Sequence, residues 1–196
     1  SGQRFFLRVY EEQDRVGARR ELASIAHLAR LGVPTPAPLE RQNGERAAEH
    51  AGKPVGVHPW VEGESLCLAR ITPTVAAQLG GALARVHVCS RELSDIPEGR
   101  FRPADLLLRL ESVDRLDARF SADTAHIRER LSHYTRIVEE AGVLPLGLIH
   151  GDLFRDNVLF QGDELCALLD FESASRGAFA YDIMVCVHAW CYGDAY

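Results

Sequence analysis

His150-Gly151-Asp152-Leu153-Phe154-Arg155-Asp156-Asn157 lies between two short apolar runs, Leu146–Ile149 and Val158–Phe160, and its reading decides the fold. Two carboxylates, an amide and an imidazole share one short loop, and loops at strand ends let side chains converge on a ligand. A third apolar run, Leu165–Leu169, follows Gly162-Asp163, a dipeptide that favours a tight hairpin. That hairpin delivers a further polar cluster, Asp170-Phe171-Glu172. Asp and Asn favour turns on their own account, so any one of these residues taken singly is more simply a turn residue. Turn chemistry does not account for the joint pattern.

The spacing H-x-D-x-x-x-x-N, followed by D-F after a hairpin, is similar to the catalytic loop and metal-binding segment of kinases. Phosphoryl transfer needs these residue types. A carboxylate must orient the attacking hydroxyl and accept its proton, while a second carboxylate and an amide oxygen hold Mg2+ against the phosphates of ATP. On this reading Asp152 is the base, and Asn157 and Asp170 are the metal ligands. His150, two residues before the base, is expected to pack and orient the loop. Asp156 is assigned no chemistry. Asp182, at the head of the apolar stretch Ala180–Trp190, is expected to cap a helix or bond loop backbone.

Upstream, Arg4–Tyr10 reads as a strand with Phe5, Leu7 and Val9 on one face and Phe6, Arg8 and Tyr10 on the other. Arg8 stands where kinases carry a phosphate-binding lysine, and a guanidinium can grip phosphate as a bidentate fork. Glu21, on the helix predicted from Glu21 to Ala29, stands where the partner of that cation belongs. A solvated strand cation for Arg8, and a surface pair with Arg20 for Glu21, are equally open. A strand pair is predicted within residues 47–61 around a Gly52-Lys53-Pro54 turn. A helix opens at Thr72-Pro73 with Val75, Leu79, Leu83 and Val86 inward, and another runs from Ala122 to Ala141 with Ile127, Leu131, Tyr134 and Val138 on one stripe.

With these residues in hand, the chain resembles the aminoglycoside phosphotransferase and choline kinase superfamily, whose fold is that of the protein kinases. Within it, Leu148 to Phe160, Gly162-Asp163-Glu164-Leu165, Leu169-Asp170-Phe171, Tyr181-Asp182 and Ala189-Trp190-Cys191 resemble the kinase-like homoserine kinases. The resemblance implies an α+β, two-lobed fold, with residues 1–61 as a partial small lobe and 62–196 as a partial, mostly helical larger lobe. It implies that Trp60 and Val61, in Trp60-Val61-Glu62-Gly63, form the hinge over which adenine lies. Gly151 stands where that subgroup has alanine, Glu172-Ser173-Ala174-Ser175 replaces an aromatic-rich run, and His188 replaces an asparagine. Family members begin two strands earlier and continue for several helices, so the chain is expected to be truncated at both ends.

Composition narrows the partners. A net charge of −6 and a single lysine, Lys53, with no Lys/Arg cluster, argue against nucleic acid. No apolar run reaches the length of a membrane span, and the first residues do not read as a secretory signal. The five cysteines, Cys67, Cys89, Cys166, Cys186 and Cys191, lack metal-like spacing and read as buried free thiols of a cytoplasmic protein. Composition leaves the oligomeric state open. The expected reaction is transfer of the γ-phosphoryl group of ATP to a small-molecule hydroxyl, best homoserine. The alternatives are choline or a related amino alcohol, an aminoglycoside, or a non-catalytic nucleotide-binding pseudokinase. Intact Asp152, Asn157 and Asp170 count against the last.

Overall fold

The computed structural model describes residues 2–99 and 102–191. In chain order its main elements are β1 (Phe5–Val9), α1 (Arg15–Arg30), β2 (Ala48–His50), β3 (Lys53–Pro59), α2 (Pro73–Cys89), α3 (Pro103–Leu116), α4 (Ser121–Glu140), β4 (Leu146–Ile149), β5 (Val158–Gln161), β6 (Glu164–Leu168), β7 (Ser175–Ala178) and α5 (Phe179–Cys191). They form two compact units, one taking in Ser1–Pro97 and Leu146–Tyr196, the other Glu98–Pro145.

In the first unit, β1, β3 and β2 make an antiparallel sheet in that order, with Arg8 opposite Gly56. The two faces of β1 separate as the alternation predicts. Phe5, Leu7 and Val9 are exposed, while Phe6 and Arg8 are half-buried and Tyr10, just past the strand, is buried. Helix α1 covers the sheet, and Tyr10, Ala18, Leu22 and Ala47 form a small core between them. The helix begins at Arg15 rather than Glu21, because Asp14 caps it by accepting the Gly17 N–H at 2.8 Å. The β2–β3 turn is Ala51-Gly52, one position earlier than predicted, with φ of 49° and 77°. Two successive left-handed residues match the twist of the flanking strands, so Lys53 and Pro54 already belong to β3.

The main core is built on α2, whose start follows the sequence signals: Pro73 opens it and Thr72 Oγ1 accepts the Val75 N–H at 3.2 Å. Val75, Leu79, Leu83 and Val86 are buried against Leu148, Leu153, Val158, Phe160 and Leu168. Strands β5 and β6 form the expected hairpin across Gly162-Asp163. Strand β7 was not legible. It pairs with β4, Gly147 opposite Gly177, and a Cβ at Gly177 would lie 2.4 Å from Ile149 Cδ1. Its residues Ser175-Arg176-Gly177-Ala178 lack the apolar alternation that marks a strand. Helix α5 closes the core with Trp190, whose indole N–H donates to the Leu153 carbonyl at 2.9 Å.

The second unit is a pair of helices, α3 and α4, of which α3 had no counterpart in the sequence reading. The α4 stripe is rotated from its predicted position: Ile127 and Tyr134 are exposed, whereas Thr124 is buried and Leu131, Thr135 and Val138 are half-buried. Polar contacts set that rotation, since Thr124 and Arg128 both bond the carboxylate of Asp114 on α3. All five cysteines are unpaired, but none is buried; Cys67 and Cys191 are exposed and the others partly covered. Their apolar neighbours, such as Ala167 and Leu168 beside Cys166, take the core positions instead. No helix of the described residues is long and apolar enough to cross a membrane.

Candidate active site

The loop after β4 is held from beneath. The carboxylate of Asp182, fully buried at the start of α5, accepts the backbone N–H groups of His150 and Gly151, both at 2.8 Å. His87, near the end of α2, donates from Nε2 to the same carboxylate at 2.9 Å and stacks on Phe179. Of the two roles expected for Asp182, bonding loop backbone is the one found. His150 is also fully buried. Its Nε2 lies 2.8 Å from the Leu169 carbonyl, which can only accept, so the proton sits on Nε2 and the bare Nδ1 faces the Asp152 N–H at 3.4 Å. Burial holds the imidazole below its ordinary range, against the pull of Asp182 and the Leu169 carbonyl, so His150 is a neutral packing group.

Asp152 and Asn157 meet on this loop. The Asn157 side-chain amide donates to the Asp152 backbone carbonyl at 2.7 Å and to Asp152 Oδ2 at 3.1 Å. Both of its hydrogens are thereby committed to Asp152, and Oδ1 is left as its acceptor atom. The backbone of Asn157 ties the loop to the next polar cluster by accepting the Leu169 N–H at 2.8 Å. Asp156, by contrast, is exposed.

Asp170 adopts a left-handed backbone, φ 56° and ψ 72°, and its Oδ1 faces the Glu172 N–H at 3.4 Å. Asp tolerates this region better than most residues, and such strain recurs where a side chain must be aimed. Oδ1 also accepts from Arg8 Nη1 at 2.8 Å, while Arg8 Nη2 donates to Glu172 Oε2 at 2.9 Å. Glu21 Oε1 lies 3.6 Å from Arg8 Nη1. Thus Arg8, Glu21 and Asp170 come together, and Glu172 joins them. Neither a solvated Arg8 nor a surface pair for Glu21 describes what is observed: Glu21 is buried and is also bonded by Gln13 at 2.7 Å. Burial works against the charge of Arg8, but Glu21 and the bond to Asp170 outweigh it and raise the guanidinium further. Burial also raises the Glu21 carboxyl above the ordinary range, despite the opposing effects of Arg8 and Gln13.

Trp60 and Val61 follow the end of β3 and share no hydrogen bond with these clusters among the described residues. Trp60 is half-exposed, donates its N–H to the Arg4 carbonyl at 3.1 Å and lies beneath the Arg4 guanidinium. Two participants escaped the sequence reading. Glu172 was noted only as a departure from a pattern, although its position two residues after Asp170 was a usable signal. His87 carried no signal, because its partner lies 95 residues away.

The catalytic-loop candidate touches the segment that follows Asp170. Gly151 has φ 80°, and a Cβ there would lie 2.9 Å from the Ser173 carbonyl oxygen. A side chain at position 151 would therefore press on the Ser173 backbone as well as on its own left-handed conformation.

The donor set fits a hard divalent cation. Asn157 offers an amide oxygen and Asp170 a carboxylate, the oxygen ligands that such ions take alongside nucleotide phosphates and water. A family model described as the phosphotransferase enzyme family, APH, matches residues 1–196. The chain belongs to the APH phosphotransferase family. Among its relatives, a homoserine kinase of Nitrobacter hamburgensis is 33% identical over 194 residues, covering 96% of this chain and 57% of that protein. A homoserine kinase of Nitrobacter winogradskyi is 35% identical over 199 residues, covering 96% and 57%. The chain thus spans a little over half the length of these curated APH relatives. An amicoumacin kinase, solved in complex with AMP-PNP, Ca2+ and Ami, superposes with a TM-score of 0.76 at 17% identity over 96% of this chain and 58% of that one. An aminoglycoside-3'-phosphotransferase of type VIII gives 0.69 at 21% identity over 98% and 72%. These likenesses show the kinase-like α+β fold of the APH family.

Proposed function

We propose that the full-length protein is an ATP-dependent, Mg2+-requiring kinase that transfers the γ-phosphoryl group to the hydroxyl of a small molecule, homoserine being the favoured acceptor. The observation that carries the reading is the bonded pair Asp152–Asn157, tied through Leu169 to Asp170 and so to Arg8. The homoserine kinase relatives at 33–35% identity support the acceptor. Asp152 receives the hydroxyl proton as the acceptor oxygen attacks the γ-phosphorus and the bond to the β-phosphate oxygen breaks, releasing ADP. The Asn157 amide fixes the orientation of that carboxylate. Arg8 offers Nη1 to phosphate oxygens and is steadied by Glu21. Asn157 Oδ1 and Asp170 would hold the cation, which supplies charge neutralisation on the phosphates. Trp60 and Val61 would present the hinge backbone to adenine, with residues 1–61 and 62–196 as the two lobes flanking it.

Unpaired thiols in all five cysteines are in keeping with a cytoplasmic location. The second reading is an aminoglycoside kinase, drawing on the solved aminoglycoside phosphotransferases of the same fold, or an amino-alcohol kinase. A coupled assay of ADP release from the full-length protein, run with homoserine, choline and representative aminoglycosides, separates the two. A site built to bond one acceptor's polar groups rejects analogues lacking them by up to ~10⁴-fold, so homoserine should dominate in kcat/KM. Preference for an aminoglycoside would replace the acceptor, and absence of transfer to any would remove the kinase reading.

A further inference from the structure

Arg8 is bonded to two carboxylates two residues apart in the chain. Nη1 holds Asp170 Oδ1 at 2.8 Å and Nη2 holds Glu172 Oε2 at 2.9 Å, with Glu21 3.6 Å from Nη1. A single 3₁₀ turn, Phe171–Ser173, sets the spacing of the two acceptors. The guanidinium therefore neutralises the same carboxylate that the proposed cation needs. A guanidinium and a divalent ion on Asp170 share one negative charge, so cation binding is strengthened if Nη1 of Arg8 withdraws from Asp170 without Arg8 leaving the phosphate-binding position.

We propose that Glu172 is the positioning residue that makes this exchange possible: it keeps hold of Nη2 while Nη1 is released from Asp170. The inference rests on the nucleotide and metal site proposed above. The fork of arginine is essential to it. A planar guanidinium can pivot about the Nη2–Glu172 bond and offer Nη1 to Glu21 or to a phosphate oxygen, whereas a lysine ammonium is a single point of charge. The two carboxylates are open, at 42% and 36% exposure, whereas Arg8 is 19% exposed, so the movement is a pivot of the guanidinium tip rather than a swing of the whole side chain. Glu172 thereby acts through Arg8 and does not itself ligate the cation.

The test is a double-mutant cycle read by calorimetry, with Mn2+ alone and with Mn2+ and AMP-PNP, on the full-length protein. Glu172→Gln leaves Arg8 leaning on Asp170, so Mn2+ binding should weaken by about fivefold, the upper end for partly exposed ion pairs. Arg8→Gln removes the competitor, so Mn2+ alone should bind more tightly than to the parent while AMP-PNP binding falls. In the Arg8→Gln background, adding Glu172→Gln should change Mn2+ affinity by less than about twofold, as expected when one residue acts only through the other. Arg8→Lys, which keeps the charge but not the fork, should likewise silence the Glu172 effect, and thermal melts verify that each variant is folded. An equal loss of Mn2+ affinity from Glu172→Gln in both backgrounds would make Glu172 an ordinary ligand or charge and overturn the inference. Failure of the parent protein to bind Mn2+ and AMP-PNP at all would instead bring down the kinase reading itself.

Discussion

The buried carboxylate of Asp182 accepts the backbone N–H of His150 at 2.8 Å, so the first residue of the proposed catalytic loop hangs from the first turn of α5. The same carboxylate takes the Gly151 N–H and the His87 imidazole, which leaves it fully bonded in a place where an unmet partner is costly.

Asp182→Asn should therefore damage the loop more than the rest of the fold. An amide turns one N–H donor toward backbone donors, and a buried unsatisfied group costs about 1–3 kcal/mol. The expected outcome is a lowered Tm together with reduced kcat and little change in nucleotide affinity. Denaturant melts and steady-state kinetics check it; a variant with parental stability and kcat would show that the three bonds do not position the loop.

Gly151→Ala tests the contact between the loop and Ser173. Left-handed backbone costs a non-glycine residue about 1–3 kcal/mol, and the Cβ must also displace a backbone carbonyl now 2.9 Å away. Urea titration should give a loss of stability in that range. No loss in the variant would contradict the steric account.

How much of this was legible depended on how far apart the interacting groups lie. Thr72-Pro73 and Gly162-Asp163 act on their immediate neighbours, so α2 and the β5–β6 hairpin could be read directly from the chain. Helix α1 was read too short because its cap, Asp14, lay in a stretch whose polarity suggested a loop. Strand β7 was invisible because its pairing with β4 relies on two facing glycines rather than on apolar alternation. The stripe of α4 was rotated because bonds to Asp114 on another helix outweigh the helix's own pattern. At the site, spacing alone brought out Asp152, Asn157 and Asp170 as a group. The link from Arg8 to Glu172 spans 164 residues and follows from tertiary packing alone.

Glu21 offers a test of sign. Burial raises its carboxyl above the ordinary ~4.5, so the folded state holds that proton more tightly than the unfolded chain does. Its contribution to stability is present below about pH 4.5 and is lost as pH rises through the elevated folded value. At neutral pH the charge is a cost, and Arg8 keeps Asp170 and Glu172 as partners if it is removed. Glu21→Gln should hence melt at pH 7 no lower than the parent while binding AMP-PNP more weakly. A clear fall in Tm would mean that the pair with Arg8 outweighs the burial of its charge.

Two buried histidines should contribute to the loss of stability in acid. Burial lowers His58, whose Nδ1 donates to the Pro36 carbonyl at 3.0 Å, and it lowers His150 in the same direction. A depressed histidine stabilises the fold above its unfolded value of about 6.5, and that stability drains away as pH falls toward the folded value. Melting curves should therefore decline from about pH 6.5 downward, and His58→Leu should flatten the slope whatever its effect on the absolute Tm. An unchanged slope in the variant would remove His58 from the acid response.

The proton acceptor is the centre of the account, and Asp152→Asn is its most direct test. The exchange preserves size and leaves the Asp152 backbone carbonyl to bond Asn157, so the fold and AMP-PNP affinity should stay close to those of the parent. Single-turnover transfer from ATP to homoserine by the full-length protein should fall by about 10²–10⁴-fold, the usual effect of removing a positioned general base. Near-parental turnover with intact nucleotide binding would contradict the account.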